Sequence, residues 1–178
     1  MQNLLKRLGN GLLLAHALVG SSARADSPME AQELCQKAGR NAPVFELLLA
    51  ESTARSGTEP GSALCTWSFA RPASASSELL VELKTELMPS QADARRAILI
   101  SRLPENHRGK TIEALPKLGD GGNYRATVDD GATRALEIEA TKDRRHFLLS
   151  VKPGTASPLT YRVLGQSINF LGVGIRDL

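Results

Sequence analysis

Helical spacing of apolar residues recurs in three parts of the chain, and each part opens with a helix-starting signal. The three segments span 28–38, 90–102 and 158–171. A serine stands at the N-cap of each, at Ser27, Ser90 and Ser157, where its oxygen satisfies free N–H groups of the first turn. In the first segment Cys35 falls on the same face as Leu34, so we expect the cysteine to point inward.

Five other segments alternate between apolar and polar residues with the two-residue period of a half-buried strand. They span 64–71, 79–87, 123–128, 133–141 and 146–152. Short polar turns at 129–131 and 142–145 separate the last three, which is typical of consecutive antiparallel hairpins. A continuous apolar run over 44–50 fits a helix and a buried strand equally well, so its structure stays open.

The order of these elements predicts the fold class. Strand pairs and a meander interspersed with helices indicate an α+β domain, built as a two-layer sandwich with an antiparallel sheet of five or more strands. We expect the helices to pack mainly on one face of the sheet, with all three predicted helices covering it. A chain of 178 residues fits one such domain, over 26–178.

Residues 1–25 have the pattern of a cleaved signal peptide. Lys6 and Arg7 precede an apolar stretch over 8–20, and Ala23 and Ala25 form a small-residue cleavage motif. The apolar stretch is about 13 residues long, short of the roughly 20 that span a bilayer. The sequence therefore predicts an exported protein, periplasmic or secreted, with no transmembrane segment after cleavage.

The chain contains two cysteines, Cys35 and Cys65. In an oxidising compartment two thiols this far apart in sequence form a disulfide more readily than a metal or redox site. We therefore predict a disulfide that ties the first helix to the strand carrying Trp67.

Charge and aromatic content narrow the range of partners. The formal net charge is +3, and the three basic residues of the leader, Lys6, Arg7 and Arg24, account for all of it. The charge-balanced remainder has few aromatic residues, so it lacks the basic surface and the stacking platforms that nucleic-acid binding uses. We expect no nucleic-acid partner.

Candidate catalytic and metal-binding residues are few. The two histidines after the leader, His107 and His146, stand at no metal-ligand spacing, so the sequence predicts neither a metal site nor a cofactor. We expect His146 to be half exposed at the start of its strand.

The glycine cluster at 119–122 precedes a strand, which indicates a tight turn rather than a phosphate-binding loop. Glu137 and Glu139 alternate with apolar residues and are expected to face solvent.

Charged loop residues are the candidates for a binding surface. Asp120 lies in the glycine cluster, and Arg144 and Arg145 lie in the turn between the last two strands, where a rigid scaffold can present binding groups. Four further basic residues would extend this patch toward an anion or a protein partner: Arg95, Arg96, Arg102 and Lys142. The alternative is that these charges are scattered and solvated.

Three short motifs together carry a resemblance to a known family. They are the cysteine in the first predicted helix, Cys65-Thr66-Trp67 at the start of a strand, and Leu118-Gly119-Asp120-Gly121-Gly122-Asn123-Tyr124 before a hairpin. The combination resembles small exported bacterial proteins of the PsbP-like two-layer type, many of them lipoproteins of unknown function. The resemblance implies a binding or accessory role with a structural cysteine pair, and it implies no catalytic residue.

These observations favour a non-enzymatic binding or accessory protein of the bacterial envelope that recognises a protein partner or a small ligand. The oligomeric state stays open. One alternative is a hydrolase of envelope polymers with a site near Asp120 and His146. Another is a structural or assembly factor with a sizeable exposed apolar patch.

Overall fold

The computed structural model describes most of the chain after the leader. The described residues are 28–59, 61–72, 77–103, 106, 110, 112–155, 157–176 and 178. The predicted signal peptide over 1–25, the predicted N-cap at Ser27 and His107 lie outside them, so those predictions stay predictions.

Three helices match the predicted ones: α1 Pro28–Gly39, α2 Gln91–Ser101 and α3 Tyr161–Arg176. Ser90 caps α2 as expected, because its Oγ accepts a hydrogen bond from the N–H of Asp93 at 3.1 Å. α3 begins later than predicted. The N–H of Leu159 donates to the carbonyl of Thr133 at 2.8 Å, which holds the residues before the helix against the sheet.

α3 also continues past residue 171, its predicted end, and crosses close to α1. A Cβ at Gly174 would lie 3.3 Å from the Cα of Ala38 in α1. Glycine at this position therefore permits a close crossing of the two helices, and the packing it allows offsets the low helix propensity of glycine.

The described chain also contains seven strands. Their bounds are β1 Leu48–Ser56, β2 Ala63–Ala70, β3 Leu79–Leu87, β4 Ile112–Leu115, β5 Gly121–Asp129, β6 Ala132–Lys142 and β7 Arg145–Pro153. They form one antiparallel sheet in the order β1-β2-β3-β7-β6-β5-β4. The five predicted strands are confirmed, and so is the α+β class with an antiparallel sheet.

The two additional strands, β1 and β4, lie at the edges of the sheet. The open segment at 44–50 divides between a short 3-10 turn, Ala42–Phe45, and the start of β1. Glu46 separates the two in the left-handed conformation, with φ 58°. All nine side chains of β1 are exposed, so the apolar run leads into an edge strand rather than a buried one.

α1 and α3 cover one face of the sheet, here called the first face. Trp67, Ile138 and Leu149 are buried on this face in one cluster with Ala31 of α1 and Phe170 of α3. This arrangement confirms a two-layer sandwich with its helices mainly on one face.

α2 lies on the opposite face, here called the second face, which corrects the expectation that all three helices share one face. Asn123 of β5 donates from its side-chain amide to the Oγ of Ser101 in α2 at 3.0 Å. Asn123 is paired across the sheet with Glu139, whose chain neighbour Ile138 points into the first face. Successive strand residues point to opposite faces, so α2 must cover the second face.

Aromatic rings form the centre of the core on the first face. Between ring centroids, Phe170 lies 5.2 Å from Trp67 and 5.3 Å from Phe45. Phe45 in turn lies 5.0 Å from Phe69. The 3-10 turn, β2 and α3 therefore meet in one ring cluster, at separations where tilted aromatic pairs attract each other.

The predicted disulfide is confirmed, with the Sγ atoms of Cys35 and Cys65 2.00 Å apart. Cys35 lies on the buried face of α1 with Leu34, as the helical spacing predicted, and Cys65 of β2 is fully buried. The bond therefore joins α1 to β2 inside the core.

Candidate functional site

A groove of about 1030 Å³ opens on the first face, between strands β4 to β6 and the N-terminal end of α3. α1 packs against β1, β2 and α3, so the helices leave this part of the first face uncovered. Tyr124, Ala126 and Leu136 form the floor of the groove. Its volume is that of a site for a drug-sized ligand.

A backbone hydrogen bond fixes the wall of the groove. The segment before α3 contributes Pro158, Leu159 and Thr160 to the lining. The bond from the Leu159 N–H to the Thr133 carbonyl attaches this segment to β6, and Thr133 lines the groove as well. The groove is therefore preformed, because this hydrogen bond holds its wall against the strands of its floor.

Tyr124 and Glu113 are the polar centre of the groove. They are cross-strand partners on β5 and β4, so the Tyr124 hydroxyl and the Glu113 carboxylate lie on the same face. Burial raises the pKa of Tyr124, and hydrogen bonding to Glu113 and the negative charge of Glu113 raise it further, so the hydroxyl stays protonated. Tyr161 also lines the groove, with a side chain that is 91% exposed.

The rest of the lining is mostly apolar or carries a methyl group. It includes Ala126, Thr127, Val128, Ala132, Thr133, Leu136, Leu159 and Leu164. Val128 is the most exposed apolar side chain among these, at 59%. Lys110 lines the groove as well, and its Nζ lies 3.7 Å from a carboxylate oxygen of Glu137. A mostly apolar surface with a few polar groups has the composition of a small-molecule site.

An ion-pair network occupies the second face behind the groove. Arg125 of β5 forms an ion pair with Glu137 and lies 3.3 Å from the carboxylate of Glu139. Lys110 joins the network, with its Nζ 3.7 Å from Glu137. The prediction that both glutamates face solvent is wrong for Glu139, which is 5% exposed. α2 covers this part of the sheet, and Arg125 compensates the buried charge.

His146 lies on the second face and is more buried than predicted, with a side chain that is 14% exposed. Its Nδ1 is 3.8 Å from a carboxylate oxygen of Glu86. Burial lowers the pKa of His146, and the charges of Glu139 and Glu86 act in the opposite direction. The carboxylates beside His146 are thus Glu86 and Glu139. The hydrolase hypothesis pairs this histidine with Asp120 instead.

The glycine cluster forms the tight turn that was predicted and places Asp120 at one end of the sheet. Gly119 has φ 61° and Gly121 has φ 144°, both in a region that favours glycine. A Cβ at Gly119 would lie 2.2 Å from the carbonyl oxygen of Thr141, so no other residue fits without a shift. The chain then enters β5 directly.

Asp120 binds two other segments of the chain. Its Oδ2 accepts hydrogen bonds from the side-chain amide of Gln91 at 3.0 Å and from the N–H of Asp143 at 2.8 Å. These two bonds lower the pKa of Asp120, since both stabilise the ionised carboxylate. Asp120 therefore joins α2 to the turn between β6 and β7.

That turn also carries Arg144 and Arg145, so the structure brings the three predicted binding residues to the same end of the sheet. The Arg144 Nε donates to the carbonyl of Met88 at 3.1 Å, and a terminal nitrogen of Arg145 donates to the carbonyl of Gly61 at 3.2 Å. Lys142 donates to a carbonyl at the end of α3 at 2.9 Å. These cations thus bind carbonyls of three neighbouring segments and stabilise the fold.

The other basic residues of the suggested patch lie on or beside α2. Arg95 and Arg96 are exposed on the helix. Arg102, just after it, donates to the carbonyl of Gly122 at 2.7 Å and so fixes the end of α2 to β5.

Sequence reasoning did not single out Glu113, Tyr124 or Tyr161. β4 has four residues, too few for a periodic pattern to stand out, and the segment before α3 looked like part of the helix. The alternation Ile112-Glu113-Ala114-Leu115, followed by a tight glycine turn, was the signal that could have indicated a hairpin and paired Glu113 with β5.

The free energy of unfolding should fall as the pH decreases below about 6.5, the ordinary pKa of histidine. The folded-state pKa of His146 is lowered, so the unfolded chain binds a proton more readily. The stabilising effect is present above the unfolded-state pKa and is lost as the pH falls through the folded-state pKa.

Urea unfolding at a series of pH values measures this effect. His146→Asn should flatten the slope of the unfolding free energy against pH in this window. An unchanged slope would show that other groups cause it. Asp120→Asn is the control: it should lower stability by a constant amount across this window and change the pH dependence only below about pH 4, because the pKa of Asp120 is also lowered.

Comparison with known proteins found no match among protein-family models, curated proteins or solved structures. Within the described ranges, no group of three or more His, Cys, Asp or Glu side chains is placed to hold a metal ion. Among the described helices, none has the length and apolar character needed to cross a membrane. Function is therefore inferred from the groove and its lining.

Proposed function

We propose that this protein is an exported, non-enzymatic binding protein of the bacterial envelope, and that the groove on its first face holds a small ligand. The observation that carries the proposal is the open groove of about 1030 Å³, which has apolar residues on its floor and polar groups at Glu113 and Tyr124. The groove is bounded by hydrogen-bonded strands and by a wall attached to β6, so a ligand meets a preformed surface. Preformed sites bind with a smaller loss of entropy than sites that must order.

The lining indicates an amphipathic ligand. Ala126, Leu136 and Leu164 offer apolar contacts, and Glu113 offers carboxylate oxygens that accept hydrogen bonds and do not donate them. The protonated Tyr124 hydroxyl can donate to this carboxylate, whose oxygens have further accepting capacity for the ligand. The ligand class that fits has an apolar body and a head group that donates hydrogen bonds, such as an amine or an alcohol.

Export to the envelope is supported by two independent features. The leader pattern over 1–25 is that of a signal peptide, and the Cys35–Cys65 disulfide is of the kind that persists in oxidising compartments. The Asp120, Arg144 and Arg145 cluster, first proposed as a partner surface, has a structural role in its hydrogen bonds. A protein partner at that cluster would have to bind beside these bonds.

Binding of phenylnaphthylamine, a fluorescent apolar amine, should detect the groove as a saturable rise in fluorescence. Ala126→Trp places a ring on the groove floor and should weaken the binding by at least about tenfold, or about 1.4 kcal/mol. Ala114→Trp is the matched control, because Ala114 is exposed on the other face of the same sheet edge and should leave binding unchanged. Equal binding by both variants would contradict the proposal.

Competition with dodecylamine and dodecanol should test the head-group assignment. Wild type should prefer the amine, and Glu113→Gln should remove that preference, since an amide lacks the charge that favours an ammonium group. If the purified protein instead turned over an envelope polymer, the non-enzymatic class would be wrong.

A further inference from the structure

Within the described ranges, β1 leaves one edge of the sheet free to pair with another strand. It is the terminal strand of the sheet and nine residues long, against four residues for the strand at the other edge. Natural proteins protect free edges with proline, charged side chains such as lysine, bulges or a covering segment. β1 contains neither proline nor lysine, and its register is irregular only between Leu49 and Glu51. The stretch from Glu51 to Ser56 is regular and available.

Two charges of opposite sign stand on the second face of this stretch. Glu51 and Arg55 are paired across the sheet with Ser68 and Leu64, and Thr53 lies between them opposite Thr66. Glu51 and Arg55 stand four positions apart on the strand. The distance between them is about 13 Å, which is too long for an ion pair within one strand. Both side chains are exposed, and neither forms an ion pair with any residue in the described part of the chain.

A second copy of the same strand would pair these charges. In an antiparallel arrangement with the two-fold axis at Thr53, Glu51 of one copy lies opposite Arg55 of the other, and Arg55 lies opposite Glu51. Both pairs form on the same face, where cross-strand neighbours lie within reach of an ion pair. The charge pattern of β1 is therefore self-complementary, as a two-fold interface requires.

We propose that the protein forms a dimer through β1, with the two strands antiparallel about Thr53 and the sheets of both copies continuous. The backbone N–H and C=O groups on the free side of β1 supply the hydrogen bonds, and the two Glu51–Arg55 pairs set the register. If one strand shifted by two residues relative to the other, neither Glu51 nor Arg55 would lie opposite the charge with which it pairs. This interface lies at the sheet edge opposite the ligand groove, so it is independent of the proposed function.

Sedimentation equilibrium of the purified protein over a concentration series should show a reversible monomer–dimer equilibrium. Glu51→Arg and Arg55→Glu each replace both attractive pairs by like charges, so each variant alone should raise the dimer dissociation constant by at least about tenfold. A mixture of the two variants should form a heterodimer, because each charge then meets its opposite. The double variant carrying both substitutions should dimerise like wild type.

Asp129→Arg and Arg96→Glu are the matched controls. They make the same charge changes at exposed positions away from β1 and should leave the dimer unchanged. A wild type that stays monomeric at every concentration would overturn the proposal. So would a dimer that both β1 reversals leave intact, or a mixture of the two variants that does not associate.

Discussion

Removal of the Cys35–Cys65 disulfide should lower the free energy of unfolding by about 3 to 4 kcal/mol, the value the chain-entropy relation gives for a closed loop of this length. Small domains have a net stability of roughly 5 to 15 kcal/mol, so the loss is a large part of the total. The variant Cys35→Ala/Cys65→Ala is preferable to serine, because both positions are buried and a hydroxyl there would lack a guaranteed partner.

Urea unfolding followed by the fluorescence of Trp67, the single tryptophan, measures this effect. Trp67 is buried on the strand that carries Cys65, so its emission reports on the region that the disulfide ties. A reducing agent is the control: it should destabilise wild type to a similar extent and leave the double-alanine variant unchanged. Equal unfolding midpoints for oxidised wild type and the variant would refute the prediction.

Phe170→Ala should destabilise the protein by about 4 kcal/mol, within the range for large aromatic side chains removed from a packed core. Phe170 is 1% exposed and its ring contacts both Trp67 and Phe45, so its removal opens a cavity where α3, β2 and the 3-10 turn meet. The helix itself should remain, since alanine has a high helix propensity. The loss therefore measures packing rather than helix formation.

Tyr161→Ala in the same helix is the matched control. Its side chain is 91% exposed, and surface changes of this kind usually alter stability by no more than about 0.5 kcal/mol. If Phe170→Ala does not fold well enough to measure, Phe170→Leu keeps most of the apolar volume and should cost roughly 1 to 2 kcal/mol. A Phe170→Leu variant as stable as wild type would show that the ring contacts do not stabilise the core.

Much of the fold could be predicted from local signals. Alternation in β2 and β3, the N-cap at Ser90 and the turns of the β5–β7 meander each act over a few residues, so the sequence alone displays them. The disulfide could be predicted from cysteine count and compartment. β4 could not, because a four-residue edge strand is held by its pairing with β5 rather than by any pattern of its own.

The candidate site was the part that sequence reasoning missed. Asp120, Arg144 and Arg145 were predicted as binding residues because charged loop residues often bind partners. In the structure each of them forms a hydrogen bond with another residue of the same chain. The groove instead brings the β4–β5 hairpin together with the segment before α3, which is distant from it in sequence. No spacing along the chain could indicate that this segment meets the hairpin.

By itself, therefore, the sequence determined the type and approximate bounds of most elements, the inward side of α1 and the identity of the disulfide partners. These properties depend on side-chain periodicity and on short-range hydrogen bonds, which are encoded within a few neighbouring residues. Only the tertiary structure decided the strand order, the burial of Glu139, the face that α2 covers and the open groove beside α3. An amphipathic helix or strand specifies that one side must be buried, but the packing of the whole chain decides which surface buries it.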